Sequence, residues 1–170
     1  PKGIGALINR RRGADGLPLR PLMYGGGQER GLRPGTAPVP LVVGMGQAAR
    51  IAAAEHASRQ KRCLAFREKL LSALSALGPM VNGDSNRSVA HVVNDSLGGI
   101  DGEAVMLVLQ DLVALSNGAA CTSSSYDSSH VLSAMGIDEE RINAATRWSW
   151  SHQTQDLPWE SIVGKLRMLG

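Results

Sequence analysis

From Leu41 to Leu74 the chain keeps a periodicity that no sheet can absorb. Leu41, Val42, Met45, Ala49, Ile51 and Ala52 recur at three- and four-residue steps, and the pattern resumes at Cys63, Phe66, Leu70, Leu71 and Leu74. Such spacing lines one face of a helix. It stops at Gly78-Pro79, a helix-ending pair. Between the two halves, "EHASRQKR" (55–62) is polar all round. The pattern therefore predicts either one bent helix or two in succession with a hinge at that stretch.

What flanks this helical region differs on its two sides. Ahead of it, Ile4 to Ile8 form an apolar run with strand character, closed by Arg10, Arg11 and Arg12 and the turn "GADG". Pro18 to Pro40 is dense in Gly and Pro and predicts an ordered but irregular loop. Behind it, strands and helices alternate. "VAHVV" (89–93) predicts a strand, and "DGEAVMLVLQDL" (101–112) a helix with Asp101 as N-cap and Glu103 in its first turn. "VALS" (113–116) predicts a short strand, and "SSHVLSAMG" (128–136) a helix closed by Gly136. "DEERINA" predicts a further helix, "ATRWSWS" (145–151) a strand with period-2 alternation, and "PWESIVGKLRML" a closing helix started by Pro158. Alternation of this kind predicts α/β or α+β layer packing. The expected division is 1–56 and 57–170.

Composition narrows the class. The chain is 43% hydrophobic and 19% charged, ordinary for a folded domain, but only 4% aromatic, so its core must come from Leu, Val, Ile, Ala and Met. No apolar run approaches the roughly 18 to 20 residues of a membrane helix. No signal peptide is visible, and two cysteines make no disulfide framework, which points to a reducing, cytoplasmic setting. The net charge of +3 is uneven: residues 1–35 hold seven Lys and Arg against two acidic groups, and the remainder holds 11 against 13. A basic leading segment could meet nucleic acid. It lacks interleaved aromatics, however, and "NRRRGADG" reads equally as a solvated turn. The opening "PKGIGALI", without Met, reads as the middle of a larger protein.

The two cysteines differ in kind. Cys63 is in phase with Phe66 and Leu70 on an apolar helical face, where a free cysteine behaves as a small hydrophobe. Cys121 stands in "SNGAACTSSS" (116–125), among small and polar residues that build no core around it. Turn chemistry on both sides predicts an exposed, mobile segment. A thiol on such a tether suits a nucleophile that collects a group at one place and delivers it at another.

"GAACTSSS" resembles the active-cysteine motif of the NifS/IscS-type (group I) cysteine desulfurases, fold-type I, class V pyridoxal-phosphate enzymes. Other stretches match in the same order. "PKGIGAL" resembles the segment just after the cofactor-binding lysine, and "GGGQERGLRPGT" the glycine-rich stretch. "VVGMGQAARIA" resembles the helix after it, "SSHVLSAMG" the helix after the active cysteine, and "ATRWSWS" the strand carrying the substrate arginine. The likeness covers nearly the whole chain. It implies an α/β fold, the C-terminal part of such an enzyme. Residues 1–56 would end the large cofactor-binding domain and begin the linking helix, and 57–170 would form the small domain.

The resemblance implies roles residue by residue. Cys121 matches the cysteine that takes sulfur from L-cysteine as a persulfide, leaving L-alanine. Arg147 matches the arginine that grips the substrate carboxylate, a task for a planar guanidinium fork; taken alone, it reads as a strand-edge arginine in a surface ion pair. Thr36 matches the residue lent across a homodimer interface to the phosphate of pyridoxal phosphate; taken alone, it is a turn residue or helix N-cap. Arg30 and Arg33 would support that interface without a catalytic role. The implied partners are L-cysteine, a second copy of the chain and a sulfur acceptor serving iron–sulfur, tRNA or DNA sulfur chemistry.

The departures count as well. The cofactor-anchoring lysine would lie just before "PKG", so Lys2 is not that lysine and the missing N-terminal half would supply it. "SWSHQT" replaces a more usual "SLGR-T", so Trp150, Ser151 and His152 would bear on acceptor access or the pocket wall. His91, His130 and His152 lack metal-ligand spacing. Two alternatives stand beside the main reading: a selenocysteine lyase-like class V enzyme, and a non-catalytic module for dimerisation or acceptor docking.

Overall fold

The computed structural model describes residues 2–8, 19–117 and 129–170. The chain divides into two compact units, Pro1–His56 and Ala57–Gly170.

In the first unit, residues 4–8 form no strand, contrary to expectation, and Leu7 and Ile8 are largely exposed. A strand exists only with a ladder partner, and among the described residues of this unit none pairs with it. The Gly/Pro-rich stretch is irregular as expected, apart from one 3-10 turn over Gln28–Gly31. Glu29 and Arg30 adopt positive φ there, and the Gln28 side-chain oxygen accepts the Gly35 amide at 3.2 Å. Helix α1 then runs over Val39–Leu74. Pro38 and Pro40 at its start cost little, because first-turn amides have no helical partner in any case.

"EHASRQKR" is helical throughout, and the division into units falls within it. Polar residues with good helix propensity continue a helix without needing an apolar face. In the second unit the buried side chains of α1 are Cys63, Arg67, Leu70 and Leu74, a single stripe at steps of three and four. Gly78, at φ +63°, closes the short 3-10 turn Ser75–Leu77 that follows.

The sheet of this unit has three antiparallel strands in chain order: β1 (Met80–Val81), β2 (Val92–Ser96) and β3 (Ala145–Ser149). Strand β2 begins three residues later than "VAHVV" predicts, and β1 carried no recognisable signal in the sequence. The register pairs Val93 with Trp148, Asn94 with Arg147 and Asp95 with Thr146. "VALS" forms no strand of its own; only Ser116 makes an isolated bridge, to Arg147.

The helices stand close to expectation. α2 (Gly102–Leu109) is capped by Asp101, whose carboxylate accepts the Glu103 and Ala104 amides at 2.9 and 3.2 Å. α3 (His130–Ala134) is capped by the Ser129 hydroxyl, with Gly136 left-handed at φ +75° just beyond it. α4 (Glu139–Asn143) is capped by Asp138, and α5 (Trp159–Leu166) follows Pro158. One face of the sheet meets the core formed by Leu70 and Leu74 of α1, Val105 and Leu109 of α2, and Ile162 and Leu166 of α5, together with Trp148 and Trp150. A smaller cluster of Leu132, Ile142 and Ala145 joins α3 and α4 to the start of β3.

Gly102 sets the approach of α2 to β3. A Cβ there would lie 2.7 Å from the Ala145 carbonyl oxygen and 3.1 Å from that of Asn143, both rigid backbone atoms. Gly102→Ala is therefore expected to destabilise the protein by about 1–3 kcal/mol, read as a lowered melting temperature. Gly98→Ala, whose Cβ would come no nearer than 3.9 Å to the Met80 side chain, serves as the contrast and should melt close to the parent.

Candidate functional site

From Thr146 onward, strand β3 alternates buried and exposed side chains; Ala145 before it is buried too, in the smaller cluster. Thr146, Trp148 and, one residue past the strand end, Trp150 are buried, while Arg147 and Ser149 are exposed. The alternation expected from "ATRWSWS" is thus present, and it turns Arg147 outward. Its backbone amide and carbonyl bond to Ser116, with the Ser116 amide donating to the Arg147 carbonyl at 3.4 Å. The Arg147 guanidinium also donates to the Ser116 hydroxyl at 3.4 Å.

Because the backbone of Arg147 faces Ser116, its pairing with Asn94 on β2 is of the non-hydrogen-bonded kind, in which facing side chains approach most closely. The Asn94 side-chain oxygen is occupied by the Asn82 amide at 2.7 Å, which leaves its own NH2 as the group to offer. Arg147 makes no ion pair with an acidic side chain among the described residues. An exposed guanidinium beside an amide donor, with no carboxylate to neutralise it, can hold a carboxylate through charge-assisted hydrogen bonds.

The second element of the site is the chain that leaves it. Ser116 lies five residues before Cys121 in sequence. Cys121 lies outside the described residues, as does the whole of "GAACTSSS". Cys63 is buried, and its carbonyl accepts the Trp150 indole N–H at 3.0 Å. Trp150 packs against Phe66 with ring centroids 5.1 Å apart. Trp150 is thus a core residue whose polar tip is satisfied by α1. Ser151 begins a turn, its amide donating to Thr154 Oγ1 at 2.9 Å.

Thr36 belongs to the other unit. It is exposed, follows Gly35 at φ +98°, and precedes α1 by three residues, so it is not the helix cap. Its hydroxyl has no partner among the described residues. A free hydroxyl in a glycine turn ahead of a long helix fits a phosphate oxygen. Arg33 donates from Nη1 to the Gly35 carbonyl at 3.5 Å and so braces this turn. No cluster of His, Cys, Asp or Glu suited to a metal occurs among the described residues, and no described helix is long and apolar enough to cross a membrane.

Sequence reasoning missed the group behind Arg147. Asp95 is fully buried on the core face, where its Oδ1 accepts both the Thr146 hydroxyl and the Trp148 indole N–H, each at 3.0 Å. Its Oδ2 has no partner among the described residues. Burial pushes its pKa up from 3.8 to about 6, with the bonds from Thr146 and Trp148 opposing. The available signal was an aspartate inside "VVNDS", a run otherwise fit for a strand.

The sign of the pH effect follows. Between pH 3.8 and about 6 the folded protein holds a proton that the unfolded chain has released. Stability from this group is therefore lost as pH rises through that interval, by about 3 kcal/mol in all. The exposed Asp111 and Asp156, held below their ordinary range by hydrogen bonds from Lys165 and Lys69, act in the opposite sense and only at lower pH. Urea unfolding of the parent should show stability declining from pH 4.5 to 7, and Asp95→Asn should flatten that slope. An unchanged slope in the variant would remove Asp95 as its source.

Comparison with known proteins places this arrangement. Residues 1–152 match the aminotransferase class-V family. The chain belongs to that family. It is 45% identical over 177 aligned positions to a protein named cysteine desulfurase IscS from Dechloromonas aromatica, covering 99% of this chain and 43% of that protein. It is 46% identical over 164 positions to a mitochondrial cysteine desulfurase from Arthroderma benhamiae, covering 96% of this chain and 32% of that one. Among solved structures, a NifS-like protein superposes with a TM-score of 0.69 at 32% identity, over 92% of this chain and 39% of that chain. DndA from Streptomyces lividans superposes with a TM-score of 0.62 at 41% identity, over 81% and 38% respectively. The class V chain thus has the mixed α/β fold of the NifS-like proteins, and it spans about two fifths of the length of several of the relatives it matches.

Proposed function

We propose that this chain is the C-terminal portion of a cysteine desulfurase, with Arg147 holding the carboxylate of L-cysteine and Cys121 receiving its sulfur. One observation carries this reading: Arg147, exposed and without an acidic partner among the described residues, is hydrogen-bonded through its backbone to Ser116, the lead-in to the Cys121 segment. Five residues from Ser116 can extend about 17 Å at most, so Cys121 is tethered within reach of a substrate held at Arg147.

The bond changes balance without a further reductant. The Cys121 thiolate attacks the substrate sulfur, a sulfur–sulfur bond forms, the carbon–sulfur bond breaks, and the carbon takes up a proton to give L-alanine. The products are L-alanine and an enzyme persulfide, from which an acceptor protein draws the terminal sulfur. Pyridoxal phosphate, when bound, supplies the electron sink that weakens the carbon–sulfur bond. Within this chain Thr36 would contribute a hydroxyl to its phosphate. The guanidinium of Arg147 fixes the amino acid by a charged fork and so orients the carbon–sulfur bond.

The first unit supports a homodimer. Leu22 and Tyr24 are 96% and 84% exposed, and Met23 and Val43 are exposed as well, apolar surface for a second copy or the rest of the large domain to cover. A second copy of the chain would cover it, as the lending of Thr36 across an interface requires.

The test uses the full-length protein with pyridoxal phosphate. Incubation with L-cysteine should yield L-alanine, and peptide mass analysis should find one added sulfur atom on Cys121. Alanine formation with no sulfur on Cys121 would overturn the assignment of the nucleophile. Absence of both would overturn the desulfurase reading.

A further inference from the structure

Arg147 is held from behind by a buried anion. Its two sequence neighbours, Thr146 and Trp148, turn to the core, and both donate to the same atom, Asp95 Oδ1, at 3.0 Å. Asp95 sits directly across from Thr146 in the register. The strand is therefore pinned by side chains at the positions before and after Arg147, in addition to its backbone ladder. Two positions beyond Trp148, the Trp150 indole N–H is fixed on the Cys63 carbonyl of α1. Sliding or rolling of β3 by even a fraction of a residue would break the two bonds to Asp95 together.

A cluster like this is a poor device for stability. A fully buried carboxylate, whose Oδ2 has no partner among the described residues, loses its hydration, and two hydrogen bonds at Oδ1 return only part of that cost. What the carboxylate adds is direction: one acceptor atom, shared by two donors, admits a single arrangement of the strand. We propose that Asp95 is a positioning residue for the substrate carboxylate, acting through Thr146 and Trp148 to fix the backbone from which Arg147 reaches the substrate. The inference rests on the reading of Arg147 given above.

The decisive variant is Asp95→Val in the full-length holoenzyme, which removes the acceptor and keeps the volume. Its KM for L-cysteine should rise between about 10- and 100-fold with kcat little changed, as for a binding group displaced by a fraction of an ångström to 1 Å. Its melting temperature at neutral pH should stay near that of the parent, because relief of the buried carboxylate is offset by the two donors left without an acceptor. Asp95→Asn, which keeps Oδ1, should restore most of the affinity. Adding Asp95→Val to Arg147→Ala should cost nothing further, because the group being positioned is already gone.

A parental KM in Asp95→Val would overturn the proposal, and so would a penalty that adds in full to that of Arg147→Ala. If Asp95→Val does not fold, Thr146→Val and Trp148→Phe each remove one donor, and unchanged KM values in both would overturn it equally. Failure of the underlying reading looks different: Arg147→Ala alone would then leave KM unchanged.

Discussion

Cys121→Ser in the full-length protein is expected to abolish sulfur transfer from L-cysteine while leaving L-cysteine binding intact. The reason is chemical. A free cysteine, with a pKa near 8.5, is a few per cent thiolate at neutral pH, and that fraction is intrinsically nucleophilic. A serine hydroxyl without an adjacent base is not, and an oxygen cannot store the sulfur for delivery. The matching control is Cys63→Ser. Cys63 is buried in the core and only its backbone carbonyl is engaged, by Trp150. That variant should lose some stability and keep its turnover, so the pair separates a reacting thiol from a packing thiol. Measuring alanine and sulfide from the two variants side by side is sufficient. Full turnover in Cys121→Ser would dismiss the nucleophile.

The second large effect is expected at Arg147. Replacement by alanine removes a charge-assisted hydrogen bond to the substrate carboxylate, worth roughly 1.5–3 kcal/mol, so KM for L-cysteine should rise on the order of 10- to 150-fold. Arg147→Lys should recover only part of this, because an ammonium keeps the charge but loses the two parallel donors of the fork. The fold should tolerate both changes, since the side chain is exposed and its strand contacts run through the backbone to Ser116. Steady-state kinetics of the three proteins would decide the matter. Equal KM values across the series would place the carboxylate elsewhere.

Much of this was legible from local chemistry. Asp101, Ser129 and Asp138 cap helices where short acceptor side chains precede apolar periodicity, and Gly136 takes the left-handed turn after one of them. The alternation in "ATRWSWS" placed Arg147 on the outer face. These are decisions between neighbours a few residues apart, which the sequence displays directly. The errors came where the partner is distant. Ile4–Ile8 has strand chemistry but no strand beside it among the described residues of its unit. Strand β1 is two residues long and exists because the Asn82 amide meets the Asn94 carbonyl at 2.8 Å. "EHASRQKR" stays helical without an apolar face because helical hydrogen bonds need none.

The sequence by itself determined the family, the phase of the helices and the outward face of Arg147, because each depends on residue types at short, fixed spacings. Only the tertiary structure decided that Asp95 stands behind Arg147, that Trp150 belongs to the core, and that Ser116 ties the Cys121 segment to β3. Those facts depend on which strands pair and in what register, and register is settled by the packing of α1, α2 and α5 against one face of the sheet. An aspartate in "VVNDS" is one residue from either face, and only burial shows which face it took.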